Sequence, residues 1–249
     1  MTESSSAGTS VDPQLYARSF FDVYDDWYHD LDDPRVMVDA LRLQSGQGAF
    51  VVELGSGTGR LSTPLHDAGF RVVALDASAD MLAFAPSGPS PVAGDMAVLP
   101  LATACADAVL VAYNTFFNLA SRAQQLMCFR EIARVLKATG VVAIEAFVAD
   151  VDDTAAFGVT IRAHPSRPDA RLAIVTGPDA HDPDVIIGSH VELAATTTCR
   201  PWRLTYQSPS ELDQCAGAAG LALRNRDGDW TGNTFDATGH RHVSWYEKA

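Results

Sequence analysis

The sequence has too little positive charge to make a polyanion its natural partner. Lysine and arginine together number 18 against 31 aspartates and glutamates, a formal net charge of −13. Proteins that grip a phosphate backbone use clustered basic residues, and an acidic chain is repelled by it and by an anionic lipid surface. The expectation is no nucleic-acid partner and no membrane partner, with the acidity serving solubility. Cysteine is sparse too. The four, Cys105, Cys128, Cys199 and Cys215, form no Cys-x-x-Cys pair and have no histidine at zinc-ligand spacing. Reduced thiols in a cytoplasmic protein are the reading. Also missing are an apolar run long enough to span a bilayer, the basic and apolar start of a secretion signal, and an internal repeat. The acidic pairs Asp25-Asp26, Asp32-Asp33 and Asp152-Asp153 fall in loops or at helix ends, so no metal site is expected.

What is present is an alternation of strand and helix patterns. Residues 1–12, rich in Ser, Thr and Gly, read as a disordered tail. From Pro13 to His29 the chain is aromatic, and Tyr16, Phe20, Tyr24 and Trp27 recur on one face of a continuous helix. Asp33-Pro34 then caps and opens a second helix. The apolar run Ala49 to Leu54 reads as a buried parallel strand, followed by helix from Arg60, strand at Arg71 to Asp76, and short helix from Ala79. Strands at Val92 to Asp95, Asp107 to Tyr113 and Gly140 to Phe147 follow, with a Ser121-capped helix before the last. Such alternation implies a mostly parallel sheet covered on both faces. After Asp150 three strand patterns follow without a helix, at Arg171 to Thr176, Val185 to Leu193 and Thr197 to Gln207. They predict an antiparallel insertion over residues 150–207 in a core that spans 13–149 and resumes at 208–249 with a helix and two strands.

The chemistry concentrates where the first strand runs into Gly55-Ser56-Gly57-Thr58-Gly59. Glycines here allow a sharp turn and close approach to a ligand, and a helix N-terminus follows. Asp76, at the end of the next strand, stands where a carboxylate binds ribose hydroxyls. A dinucleotide loop needs a third glycine at a fixed register. Counting from Gly55 puts Arg60 there, and counting from Gly57 puts Ser62. The pattern is instead Glu-x-Gly-x-Gly-x-Gly, with Glu53 ahead of the glycines. That carboxylate suits a ligand carrying ammonium and sulfonium charge and is a poor neighbour for pyrophosphate.

On these residues the chain resembles the class I S-adenosylmethionine (SAM)-dependent methyltransferases, in particular the small-molecule branch of bacterial biosynthetic pathways. The resemblance is good from Tyr16 to Phe147 and looser beyond. It implies an α/β, Rossmann-like, mostly parallel seven-stranded sheet with helices on both faces, an N-terminal helical lid and an antiparallel β insertion. It implies SAM as cofactor, with Glu53, Gly55, Gly57 and Gly59 around its methionine part and Asp76 on its ribose. Ala77 belongs to the same stretch, and Met81 is implied to pack on adenine. Asp95 is implied near the adenine amino group, and Met96 offers it a backbone N–H. Asn114 ends the fourth strand, facing donor and acceptor, and Tyr24 lies in the segment that closes over SAM.

Methyl transfer is an in-line displacement whose reactivity comes from the cofactor, the protein supplying position and electrostatics. An alcohol acceptor requires a base during attack, an amine must be neutral beforehand, and an electron-rich carbon loses its proton afterwards. His29 and His164 are the candidate bases, and catalysis by positioning alone stays open beside them. Tyr28, Phe117, Arg171 and Trp202 are the candidate acceptor-binding residues. A small-molecule acceptor and a monomeric or homodimeric enzyme are expected. A SAM-binding module without catalysis, or a partner subunit, is the second reading, and a nicotinamide-dependent oxidoreductase the third.

Overall fold

The computed structural model describes residues 15–28, 33–149 and 157–249. The predicted tail lies outside them. Two short helices begin the described chain, α1 (Leu15–Phe20) and α2 (Tyr24–Trp27), followed by α3 (Pro34–Ser45). The core continues as β1 (Phe50–Leu54), α4 (Ser62–Asp67), β2 (Arg71–Asp76), α5 (Ala79–Leu82), β3 (Ser90–Ala93) and β4 (Ala106–Val111). A 3-10 turn at Thr115–Asn118, α6 (Arg122–Val135) and β5 (Leu136–Phe147) complete its first part. Four strands then run in succession, β6 (Gly158–Ala163), β7 (Arg171–Pro178), β8 (Val185–Leu193) and β9 (Thr197–Thr205). The chain returns through α7 (Pro209–Ala218), β10 (Leu221–Asp227) and β11 (Arg241–Lys248).

Seven strands form one sheet in the order β10-β11-β5-β4-β1-β2-β3. Pairings among β1 to β5 are parallel, and β11 is antiparallel to both β5 and β10. The order reverses between β1 and β4, the switch point at which open α/β sheets bind ligands beyond their strand ends. Alternation along each strand sorts side chains to two faces. Val52, Leu54, Val109, Val142 and Ile144 pack with Phe129, Ile132 and Val135 of α6 and Leu212 of α7. Val51, Val72, Leu110 and Ala143 pack with Met37, Val38 and Leu41 of α3 and Leu65 of α4. Both faces are therefore covered, as the strand–helix alternation implied.

The second sheet is an antiparallel meander in the order β6-β7-β8-β9. The sequence patterns predicted three of its strands. The fourth, β6, escaped because all its residues except Arg162 are exposed, so it carries no buried face to pattern. The meander is tied to the core by polar contacts. Arg122 bridges to Asp184 (3.0 Å), Gln125 Nε2 donates to the Thr205 carbonyl (2.7 Å), and Arg203 donates to the Ala120 carbonyl (3.1 Å).

The N-terminal segment is not one helix. Residues 21–23 turn between α1 and α2, and the Val23 N–H bonds back to the Phe20 carbonyl (3.0 Å). The Ser19 carbonyl, which a continuous helix would use internally, accepts instead from Arg200 of β9 (2.6 Å). Arg200 also grips both carboxylate oxygens of Asp22 at 2.7 and 2.9 Å. The turn lets Phe20 and Trp27 both bury against Leu172 of the meander. Tertiary contacts thus override the helical periodicity.

Candidate cofactor and acceptor site

A cavity of about 780 Å³ opens between the C-terminal ends of β1, β2 and β4, the N-terminal helices and the inner face of the meander. Its two ends differ in chemistry. At the glycine-loop end, the Gly55 and Ser56 N–H groups both donate to the Leu75 carbonyl at 2.7 and 3.0 Å, locking the turn to β2. Gly55 has φ +69°, and a Cβ there would lie 2.1 Å from the Thr115 side chain. Gly57, at φ +57°, donates its N–H to Asp76 Oδ2 (2.8 Å), while Asp76 Oδ1 accepts from Ser78 N–H (2.8 Å). Burial pushes the Asp76 carboxyl up, opposed by these two bonds. Its remaining lone pairs are free to accept from hydroxyls.

Glu53 is buried, accepts a hydrogen bond from the Ser62 hydroxyl and lines the same end. Burial pushes its carboxyl up to about 7. Facing it is a cation that sequence reading passed over. The Arg60 guanidinium carbon lies over the Tyr113 ring, 3.8 Å from its centroid, and the side chain interacts with the Tyr24 hydroxyl. Its Nε is buried without a hydrogen-bond partner. Burial raises the Tyr24 phenol to about 12. The only signal for Arg60 was negative: it occupies the place where a dinucleotide loop wants glycine.

Ala77, Met81, Asp95 and Met96 line the cavity beside β2 and β3. Asp95 also closes its own turn, accepting from Ala97 N–H (2.8 Å). Asn114 lines it at the end of β4, where Tyr113 and Asn114 both hold left-handed backbone, φ +50° and +65°. Such strain persists only where surroundings impose it. Here Asn114 Oδ1 accepts from Phe147 N–H (2.7 Å), and Tyr113 N–H donates to Glu145 Oε2 (3.1 Å). Thr58 binds Asp25 (2.6 Å), fastening α2 over the glycine loop.

The meander end is aromatic. Tyr16, Tyr28, His190 and Trp202 line it with Phe147, Ile186 and Leu204. Trp202 Nε1 donates to His190 Nδ1 (3.1 Å), and His190 Nε2 lies 3.3 Å from the Tyr28 hydroxyl. Burial, with Arg162 nearby, holds the His190 ring neutral, its pKa down to about 4. His190 was not singled out from the sequence. Its spacing of four from Ile186 on one strand, matched by Trp202 and Leu204 on the next, is the period-2 signal for a shared face.

Other predicted residues lie elsewhere. Gly59 is in the loop but does not line the cavity. His164 is buried against Trp27, and its Nδ1 accepts from the Ser166 and Arg167 N–H groups at 3.2 and 3.1 Å, which leaves its Nε2 facing Glu192. Phe117 is fully buried behind the wall, edge-on to Phe147 and Tyr206. Arg171 is spent on the carbonyls of Pro168 and Ala170. His29 falls outside the described residues. Among the described residues no group of three or more His, Cys, Asp or Glu could hold a metal ion, and no helix is long and apolar enough to cross a membrane.

A glycine loop at the switch point of this strand order, with acids on the first two strand ends, defines a nucleoside-binding α/β enzyme. The comparisons narrow the class. Residues 52–144 match the family model described as a methyltransferase domain. The chain is 30% identical over 200 residues to the cypemycin N-terminal methyltransferase of a Streptomyces species, covering 76% of this chain and 79% of the relative. It is 31% identical to the CcbJ methyltransferase from Streptomyces caelestis, with a TM-score of 0.82, covering 96% of this chain and 99% of that one. The fold is also that of SAM-bound CalS10, an amino pentose methyltransferase from Micromonospora echinaspora (TM-score 0.67, 20% identity, 93% and 96% coverage). The chain belongs to the SAM-dependent methyltransferase family. It is an enzyme that transfers the methyl group of SAM to an acceptor.

Proposed function

We propose that the acceptor is a neutral amine and that the enzyme methylates it by positioning, without a general base. The state of His190 carries this reading. The three titratable side chains of the meander cluster, Tyr16, Tyr28 and His190, titrate away from neutral pH, and His240, which also lines the cavity, stands exposed just before β11. His190 stays neutral down to about pH 4, and burial raises the phenols of Tyr16 and Tyr28. A hydroxyl acceptor must lose its proton during attack and finds no base in this cluster. An amine already carries its lone pair. The name of the cypemycin relative, an N-terminal methyltransferase, points the same way.

The glycine-loop end fits SAM. Its buried unpaired Arg60 Nε and its close-approach glycines call for a ligand with an anionic group held against backbone. In this reading Arg60 holds the methionine carboxylate, Glu53 the ammonium, and Asp76 the ribose hydroxyls. Met81, Ala77, Asp95 and Met96 surround the adenine, while Asn114 and Tyr24 border the transfer point. SAM supplies an electrophilic methyl carbon on its sulfonium. The protein excludes water with α1 and α2 and holds the amine in line from the meander side. Residues 13–149 and 208–249 thus act as donor-binding core and 150–207 as acceptor cap. The acidic chain with free thiols works in this reading as a cytoplasmic monomer or homodimer, apart from nucleic acid and membrane, in specialised metabolism.

The test is incubation with methyl-labelled SAM and matched pairs of amine and alcohol acceptors, with products identified by mass spectrometry. Label is expected on nitrogen. At saturating SAM, kcat/KM should rise with pH along the acceptor amine's own titration. Label on alcohol or phenol oxygen, with an enzyme group setting the pH profile, would overturn the proposal.

A further inference from the structure

The meander end contains a chain of hydrogen bonds whose direction is fixed by one group. An indole N–H can only donate, so His190 Nδ1, 3.1 Å from Trp202 Nε1, is an acceptor. A neutral imidazole has one N–H, and it therefore sits on Nε2, 3.3 Å from the Tyr28 oxygen. Tyr28 accepts from the ring and cannot donate to it. The Tyr28 O–H proton therefore has no hydrogen-bond acceptor among the described residues, and the Tyr28 ring lines the cavity beside Tyr16. Had His190 carried its proton on Nδ1, Tyr28 would donate its own proton to the ring, and none would remain for a ligand.

We propose that Trp202 and His190 act as positioning residues that keep the phenolic O–H of Tyr28 free for the acceptor compartment, where it selects an amine carrying a carbonyl-type oxygen close to its nitrogen. A hydrogen bond to that oxygen fixes the acceptor at a second point, so that rotation about the first no longer carries the lone pair out of line with the methyl group. The oxygen is that of an amide or a carboxylate. The inference rests on the amine reading above and names the kind of amine.

Two measurements test it. The first is nitrogen NMR of the enzyme labelled at histidine, with His190 assigned through a His190→Gln variant. A protonated-type Nε2 and an unprotonated-type Nδ1 are expected between pH 5 and 8, and in Trp202→Phe this tautomer should lose its dominance. A wild-type ring protonated on Nδ1, or on both nitrogens, overturns the proposal without reference to activity. The second is the ratio of kcat/KM for an α-amino amide over an alkylamine of the same shape without the carbonyl, with an α-amino acid as the third arm. The wild-type ratio should be about ten, the worth of one hydrogen bond. In Trp202→Phe it should fall toward one. The α-amino acid arm separates the amide from the carboxylate. A wild-type ratio near one, or a ratio unmoved by Trp202→Phe, rejects the oxygen contact while leaving N-methylation standing. Methylation of neither amine, with transfer to hydroxyl compounds, rejects the amine reading itself.

Discussion

Along β1, β2 and β4 the groups that face the cavity stand at strand ends, where a buried apolar run stops and a loop begins. Along β8 and β9 they stand on a strand face, spaced two or four residues apart among ordinary side chains. The first arrangement uses backbone as much as side chains: the Gly55, Ser56 and Gly57 N–H groups are all engaged in shaping the loop. The second uses side chains, of which Trp202, His190 and Tyr28 are joined to each other by hydrogen bonds. A site built at strand ends is tied to the topology of the sheet, so it is held while everything around it varies. A site built on a strand face changes with each substitution and can be fitted to a new acceptor without disturbing donor binding.

The largest expected effect lies where the two halves meet. Phe117 supports Phe147 and Tyr206 from behind and has no exposed surface. Phe117→Ala should lose about 3–5 kcal/mol of stability by removing a large buried ring, read by denaturant unfolding with SAM absent. A loss below about 1 kcal/mol would mean that the wall between the halves is loosely packed. Next in size is Asp76→Ala, which should weaken SAM binding by about 2 kcal/mol, roughly thirty-fold, by removing charge-assisted acceptors. Calorimetry with SAM reads it, and Asp76→Asn, which keeps an acceptor, should fall between. Unchanged affinity would place the ribose elsewhere and undo the contrast between strand-end and strand-face recognition.

The same contrast explains what was legible in the sequence. Gly55, Gly57 and Asp76 were visible because glycine after a buried strand and a carboxylate at the next strand's end have few structural reasons to occur together. Arg60 was hidden by being read only as a departure from another family's loop. His190 was hidden by alternation itself, since a strand pattern does not say which of its faces is turned inward. Phe117 and Arg171 were attractive as an aromatic near the fourth strand and a cation in the insertion. The packing of Phe117 on Phe147 and Tyr206, and the local carbonyls taken by Arg171, depend on neighbours that only folding brings together. The one long helix expected from Pro13 to His29 failed for the same reason, because Arg200, nearly the whole chain away, takes the Ser19 carbonyl.

The smallest effect concerns pH, and it separates the halves without disturbing the fold. His190 at the meander end stays neutral above about pH 4, whereas Glu53 at the glycine-loop end has its carboxyl pushed up to about 7 by burial. Its ordinary value is 4.5, so between 4.5 and about 7 the folded chain holds a proton that the unfolded chain has released. The stabilising contribution of that protonated form is complete below 4.5 and is lost as pH rises through about 7. A cationic ammonium beside Glu53 has the opposite preference and favours the ionised form. SAM affinity should therefore rise with pH, about tenfold between pH 6 and 8, as the ionised fraction grows. Calorimetric titrations with SAM at pH 6, 7 and 8 measure this, with Glu53→Gln as the reference that cannot ionise. A wild-type affinity as flat as that of Glu53→Gln would show that the ammonium is held by some other group. The carboxylate ahead of the glycines would then serve the loop through Ser62 alone.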